Sequence, residues 1–402
     1  MATCLTLPRA LRAAIPAGAL ALALAGGAGA QGTLSALQTD VDQIARRARP
    51  SVVTVFAVRT ESAPKTAVAA TATAPHVRTR VGSGVAVEEN LILTTASVVL
   101  QAERTLVSTA NGLQAEAEIV GVDPVFNLAL LRVPTLRLPP LRFAQGRPAR
   151  VGDWVVSLGT SYNAQPTQSL GNVAQRHREP GQWLLQLTNT VYPGNSGAAA
   201  LNIRGELAGL VHGELGSPAL TGTASDGERR PWGTSFAMPV ETLRPVFESL
   251  KREGRVRHGY LGVTTLAASL ESDREGGPST PIGALVDGII GGGPADRLGL
   301  RPGDLIVAYD GERVETPEQL ARWVLATPPG RTVTLVWVRR DIGYNGTVVL
   351  KESPERVPQW LAGALADPQP DGPRKIAELE REIRRLSQEL GRLKDQSGPP
   401  PR

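Results

Sequence analysis

The sequence predicts a mainly β protein, with a smaller α+β unit behind it and a C-terminal coiled-coil helix. Three observations carry this. From Val81 to Met238, short apolar runs follow one another, divided by Gly, Pro, Asn and Asp, the spacing of an all-β barrel or sandwich. From about 256 to 352, strand-like runs alternate with two short helical ones. Near the end, Ile376, Leu379, Ile383, Leu386, Leu390 and Leu393 alternate intervals of 3 and 4, an a/d heptad seam.

Composition bounds the function. The 402 residues have room for two or three units, at about 150 residues each. With 41% apolar and 20% charged residues, the chain is not uniformly disordered. Its 43 basic and 38 acidic residues leave a net charge of +5, too balanced for a dedicated nucleic-acid binder. A single cysteine excludes an intrachain disulfide and a cysteine-cluster metal site. The four histidines have no paired spacing, which argues against zinc, and no metal or cofactor is expected.

The elements follow in order. Arg9 and Arg12 precede an apolar run over 13–24 and a small-x-small site at Ala28-Gly29-Ala30, so residues 1–30 read as a secretory signal peptide. The alternative is an uncleaved anchor. The run is short and broken by Pro16 and Gly18, so no stable span is expected once the leader is cleaved. Residues 34–49 read as a short helix ending in Arg46-Arg47-Ala48-Arg49, and 51–58 as a valine-rich strand. Residues 59–80, rich in Ala, Thr and Pro, read as a mobile loop. Strands are predicted at 91–95, 117–122, 128–133, 154–158, 183–188 and 207–211, with a polar loop at 214–231. Residues 239–253 predict a helix, with Leu243, Val246, Phe247 and Leu250 on one face. Further strands are expected at 284–290, 305–309 and 332–339, and helices at 294–298 and 317–326. Five prolines make 353–373 a stiff linker. In the 374–396 heptads, Glu389 with Lys394 and Lys375 with Glu380 suit a parallel coil. That predicts a homo-oligomer, dimer or trimer, against the alternative of a lone amphipathic helix packed on its own unit.

The strongest chemical signal is Gly194-Asn195-Ser196-Gly197. Such a turn can aim backbone N–H groups at one point, although Gly-Asn-Ser is also ordinary turn chemistry. Around it stand Val81-Gly82-Ser83-Gly84-Val85, Thr94-Thr95-Ala96-Ser97-Val98-Val99, Asn127-Leu128-Ala129 and Thr234-Ser235-Phe236-Ala237-Met238-Pro239. Taken in this order, with Gly259-Tyr260-Leu261-Gly262-Val263 and the 293–304 block behind them, the set resembles the HtrA/Deg family of trypsin-like serine proteases. The resemblance implies a chymotrypsin-like double β-barrel over 34–253, a PDZ domain over 256–352, a periplasmic location and frequent trimeric assembly. It also implies that Ser196 stands at the nucleophile, with the N–H groups of Gly194 and Ser196 as oxyanion hole.

Two triad positions depart from the family's pattern. Where the family reads T-N-A-H-V-V, this chain has Ser97 at the histidine position. Where it reads D-L-A, Asn127 replaces the aspartate. A serine hydroxyl is a poor nucleophile without a base to take its proton. Losing the base alone costs about 10⁶ in turnover in a well-studied serine protease. His212 follows the 207–211 strand and is a candidate relocated base; otherwise it fills the space of the lost imidazole.

In the second unit, the resemblance implies that backbone N–H groups along Tyr260, Leu261, Gly262 and Val263 bind a peptide C-terminal carboxylate while the peptide adds a strand. The alternative is a PDZ fold used only for packing. The chain is therefore expected to be an exported pseudoprotease that binds polypeptide C-termini or unfolded segments. It would act as adaptor, as holdase or as regulator of an active relative. The second hypothesis is a serine endopeptidase with residual activity through Ser196. A third is an envelope scaffold in which only the coil and the PDZ unit matter.

Overall fold

The structure is a computed structural model that describes residues 17–61, 76–161, 163–179, 181–214, 235–270 and 280–354. The proline-rich linker beyond 354, the 374–396 coil and most of the 214–231 loop lie outside the described residues.

Period-two alternation builds the first barrel. β1 (Val52–Glu61), β2 (His76–Glu88), β3 (Leu91–Thr94), β4 (Arg104–Ser108), β5 (Gln114–Asp123) and β6 (Leu128–Arg132) close in the order β1-β2-β3-β6-β5-β4. On β6, Ala129 and Leu131 fill this barrel while Leu128 and Leu130 face outward into a second apolar cluster. Successive side chains point to opposite faces, so one strand serves two cores. The second barrel closes as β10-β11-β12-β9-β8-β7. Its strands are β7 (Trp154–Thr160), β8 (Pro166–Glu179), β9 (Gln182–Leu187), β10 (Ala199–Leu201), β11 (Leu207–Glu214) and β12 (Ser235–Pro239). Val155, Val173, Leu185, Leu187, Val211 and Ala237 fill it. Leu158, Leu201, Leu210 and Met238 meet Leu128 and Leu130 between the barrels. Two barrels packed in this way are the double β-barrel that the resemblance implies.

Helix α1 (Ala17–Ala48) precedes the barrels, and α2 (Ala96–Val99) follows β3. α3 (Val240–Glu253) lays Leu243, Val246, Phe247 and Leu250 into the interbarrel cluster, as its periodicity predicts. The second unit has a sheet in the order β14-β15-β16-β18-β19, from β14 (Val263–Leu270), β15 (Thr280–Ile289), β16 (Leu305–Tyr309), β18 (Thr332–Arg339) and β19 (Ile342–Val349). α4 (Pro294–Leu298) and α5 (Pro317–Ala326) cover it, β17 (Glu312–Arg313) pairs with β16, and β13 (Gly259–Tyr260) pairs with β20 (Lys351–Glu352). Among the described residues, no helix is long and apolar enough to cross a membrane.

Several elements differ from the sequence reading. The helix expected at 34–49 is the second half of α1, which starts at Ala17 and continues through the glycines at 26, 27, 29 and 32, where the Ala and Leu around them are strong helix formers. The loop expected at 59–80 is narrower: β1 and β2 pair out to Glu61 and His76. Cross-strand hydrogen bonding extends a hairpin where side chains give no burial signal. His177 lies within β8 opposite Leu184.

Candidate functional site

The three positions that the resemblance assigns fall on both barrels. Ser97 sits on α2 of the first barrel and Asn127 in the β5–β6 turn. Ser196 lies in the β9–β10 loop of the second barrel. Asn127 is buried, in a left-handed conformation with φ of 50°, and its Oδ1 accepts the Ser97 N–H at 2.9 Å. Ser97 Oγ donates to Thr95 Oγ1 at 3.1 Å, and its carbonyl accepts from Arg80 Nη1 at 2.8 Å. The two replaced positions are therefore held to each other, but no hydrogen bond joins either of them to Ser196.

The Ser196 loop is rigidly built. The Tyr192 carbonyl accepts the Asn195 N–H at 2.9 Å across a Pro193-Gly194 turn, and Gly194 adopts φ of 100°, open to glycine. Asn195 Oδ1 accepts the Tyr192 N–H at 2.8 Å, and its Nδ2 donates to Thr160 O at 3.0 Å and Thr167 Oγ1 at 2.7 Å. At Gly197, a Cβ would lie 2.1 Å from the Ser83 carbonyl, so only glycine fits. Among the described residues, the N–H groups of Gly194 and Ser196 donate to no protein acceptor. An oxyanion could still be received there.

Among the described residues, Ser196 Oγ reaches only the backbone carbonyl of His212, at 3.5 Å. A carbonyl oxygen accepts a hydrogen bond but cannot carry off a proton. His212 is the residue that bulges β11 between Val211 and Gly213. Its ring is buried, its Nε2 has no partner, and burial pushes its pKa down to about 4. That ring is neutral at neutral pH and only a weak base. Beside the serine lies a small recess lined by Ser157, Val191, Tyr192, Asn195, Ala198 and Val211. The other described histidine rings are engaged elsewhere. His177 Nε2 meets Gln186 Oε1 at 3.0 Å, and His258 is paired with Asp123.

Sequence reasoning missed the part played by Ser83. Its buried Oγ donates to the Gly194 carbonyl at 2.8 Å and accepts the Thr160 N–H at 2.9 Å, and its N–H donates to the Ser196 carbonyl at 2.8 Å. One first-barrel serine thus pins the second barrel's loop. The Gly82-Ser83-Gly84 triplet marks the spot, but only the barrel packing gives the hydroxyl its partners.

In the second unit, the carbonyls of Leu261 and Gly262 accept from Ala295 at 2.9 Å and Ile290 at 3.0 Å. Among the described residues, the N–H groups of Leu261 and Gly262 have no protein acceptor. Leu261 is buried, Tyr260 is half-buried and packs beside Gly262, and Val263 opens β14. β14 is an edge strand, paired with β15 alone, and Leu320 and Val324 of α5 share the core with Leu261.

Residues 82–210 match the family model described as a trypsin-like peptidase domain, and 285–339 match that of the PDZ domain. A probable periplasmic serine endoprotease, DegP-like, from Hahella chejuensis is 32% identical over 70% of this chain and 59% of its own length. The corresponding protein from Halomonas elongata is 31% identical over 69% and 58%. The chain thus spans about six tenths of the length of these curated relatives. Among solved structures, a serine endoprotease from Yersinia pestis is similar at a TM-score of 0.52 and 28% identity, over 78% of this chain and 98% of that one. The HtrA-type protease AlgWS227A with decapeptide superposes at 0.58 and 24% identity, over 79% and 99%, a likeness of fold.

Proposed function

The chain belongs to the HtrA/Deg family, and from that premise we propose that it is an exported, periplasmic pseudoprotease whose PDZ unit binds polypeptide C-termini or unfolded segments. The observation that carries this reading is the surroundings of Ser196 Oγ. Among the described residues, its only hydrogen-bond acceptor is a backbone carbonyl. Neither Ser97 nor Asn127 offers a basic lone pair to replace the lost imidazole.

Binding follows from the second unit. The free N–H groups of Leu261 and Gly262 suit a terminal carboxylate, and the open edge of β14 suits an added strand. Main-chain hydrogen bonds would supply affinity, and alternate side chains entering beside α5 would supply selectivity. Self-association, through the 374–396 heptads or as the family's trimer, would multiply weak sites by avidity. The chain would then serve as adaptor, as holdase or as regulator of an active relative. The periplasmic names of its relatives support the location.

A second reading, a serine endopeptidase working through Ser196, is favoured by the two unengaged N–H groups at Gly194 and Ser196. Incubation with unfolded casein and with a fluorophosphonate probe separates the two readings. A binding protein leaves casein intact, stays unlabelled, and retains client binding in Ser196→Ala. Rapid labelling and cleavage, both lost in Ser196→Ala, would establish the protease instead.

A further inference from the structure

Asp123 and His258 face each other across the junction of the two units, with side chains 1% and 2% exposed. His258 Nε2 lies 2.7 Å from Asp123 Oδ2, and its Nδ1 lies 2.9 Å from the carbonyl of Leu325 at the end of α5. Only Nδ1 has a hydrogen-bond acceptor; Nε2 meets the carboxylate as an ion-pair contact off the line of a hydrogen bond. A neutral imidazole has one N–H and one lone pair. With the N–H committed to the Leu325 carbonyl, a neutral ring would set its Nε2 lone pair against the carboxylate 2.7 Å away, so the contact favours an imidazolium.

We propose that this imidazolium is a pH-operated latch between the protease-like unit and the PDZ unit, closed when His258 is protonated and released when it loses that proton. The latch joins three elements. Asp123 closes β5, and its Oδ1 also accepts the Phe126 N–H at 2.8 Å, so the same carboxylate fixes the turn that leads to Asn127. Phe126 stacks on the His258 ring at 6.2 Å. Leu325 and Ala326 of α5 enter the interbarrel core, while Leu320, Trp323 and Val324 of the same helix stay in the PDZ core. A cavity of about 830 Å³ lies alongside, lined by Phe126, Val256, Arg257, Ala326 and Pro328 among others.

The charged surroundings are few. Asp123 is the group whose charge bears on the imidazole. On the connecting segment Arg257 is committed to Glu253 at 2.9 Å and Glu352 at 3.8 Å. Arg322, one turn back on α5, is buried and engaged. The turn at Phe126 brings no charge. Burial opposes protonation, but the bond to Asp123, its charge and the Leu325 carbonyl outweigh it and hold the pKa above 6.5. A raised histidine pKa gives stabilisation that is complete below the unfolded value and is lost as pH rises through the folded one. The latch therefore opens on the alkaline side. It does not depend on whether the PDZ unit binds peptides or Ser196 reacts.

The test is energy transfer between dyes on the full chain, placed at Leu113→Cys in the first barrel and Ile342→Cys in the PDZ unit, with Cys4→Ser. Both positions are exposed. Circular dichroism checks that both units stay folded from about pH 5.5 to about pH 9. Transfer should fall with rising pH, the open-to-latched ratio climbing about tenfold per pH unit above the midpoint, the slope of a one-proton switch. His258→Ala should read open at every pH and His258→Arg, always charged, latched throughout. Asp123→Asn, whose amide can donate to a neutral ring, should flatten the response. A folded wild type with pH-independent transfer, or His258→Arg titrating like wild type, overturns the latch.

Discussion

On the proposed reading, Ser196, Ser97 and Asn127 stand at the three triad positions, with the base and its carboxylate replaced in two of them. The Asn127 amide oxygen still accepts the Ser97 N–H, so the backbone around the missing imidazole is preformed. We expect Ser97→His with Asn127→Asp to restore fluorophosphonate labelling and raise peptide hydrolysis at least about 10³-fold, since base and orienter return together beside free oxyanion donors. No gain with the fold intact would mean that the loop itself is inactive. Ser83 is a second residue-scale test. Removing its buried hydroxyl leaves the Gly194 carbonyl and the Thr160 N–H unpaired. Ser83→Ala should cost about 1–3 kcal/mol in chemical denaturation. An unchanged midpoint would show that the pinning is not needed.

Among the elements, β11 carries an unusual load. Its bulge places the His212 ring in an apolar interior with Nε2 unpartnered, and burial lowers the pKa from 6.5 to about 4. The unfolded chain takes up a proton near 6.5 that the folded one refuses until about 4. Stability must therefore fall as pH drops through that window, and hold above it. Thermal melts of His212→Leu should show a shallower loss on the acid side than wild type; parallel curves would argue against a buried neutral ring. Helix α3 is plainer. Leu250 is fully buried between the barrels, and Leu250→Ala should cost about 2–5 kcal/mol by equilibrium unfolding.

At the scale of the molecule, the two units share α5, whose last residues Leu325 and Ala326 belong to the interbarrel core. A fragment ending after α3 would lose those side chains and His258, leaving Asp123 buried without its ring partner. Calorimetry should find residues 34–253 alone melting below the same unit in the full chain. Equal melting points would show that the units are energetically independent. The two buried histidines also pull in opposite senses. His212 penalises acid, and His258 penalises alkali.

The double barrel, the PDZ-like unit and the family were legible from the sequence because burial writes itself into local order. Alternating apolar runs declare strands, a three-four spacing declares α3, and turn residues at fixed offsets declare the Ser196 loop. Ser97 and Asn127 were equally legible as departures from the family's pattern, since a residue's type needs no coordinates to be seen. Ser83's pinning role, the neutral His212 and the His258–Asp123 pair were not legible. Ser83 meets Thr160 77 residues away, Asp123 meets His258 135 residues away, and the His212 ring is buried only once the barrel has closed. A side chain's protonation and partners are set by what surrounds it in space, and chain order does not record that.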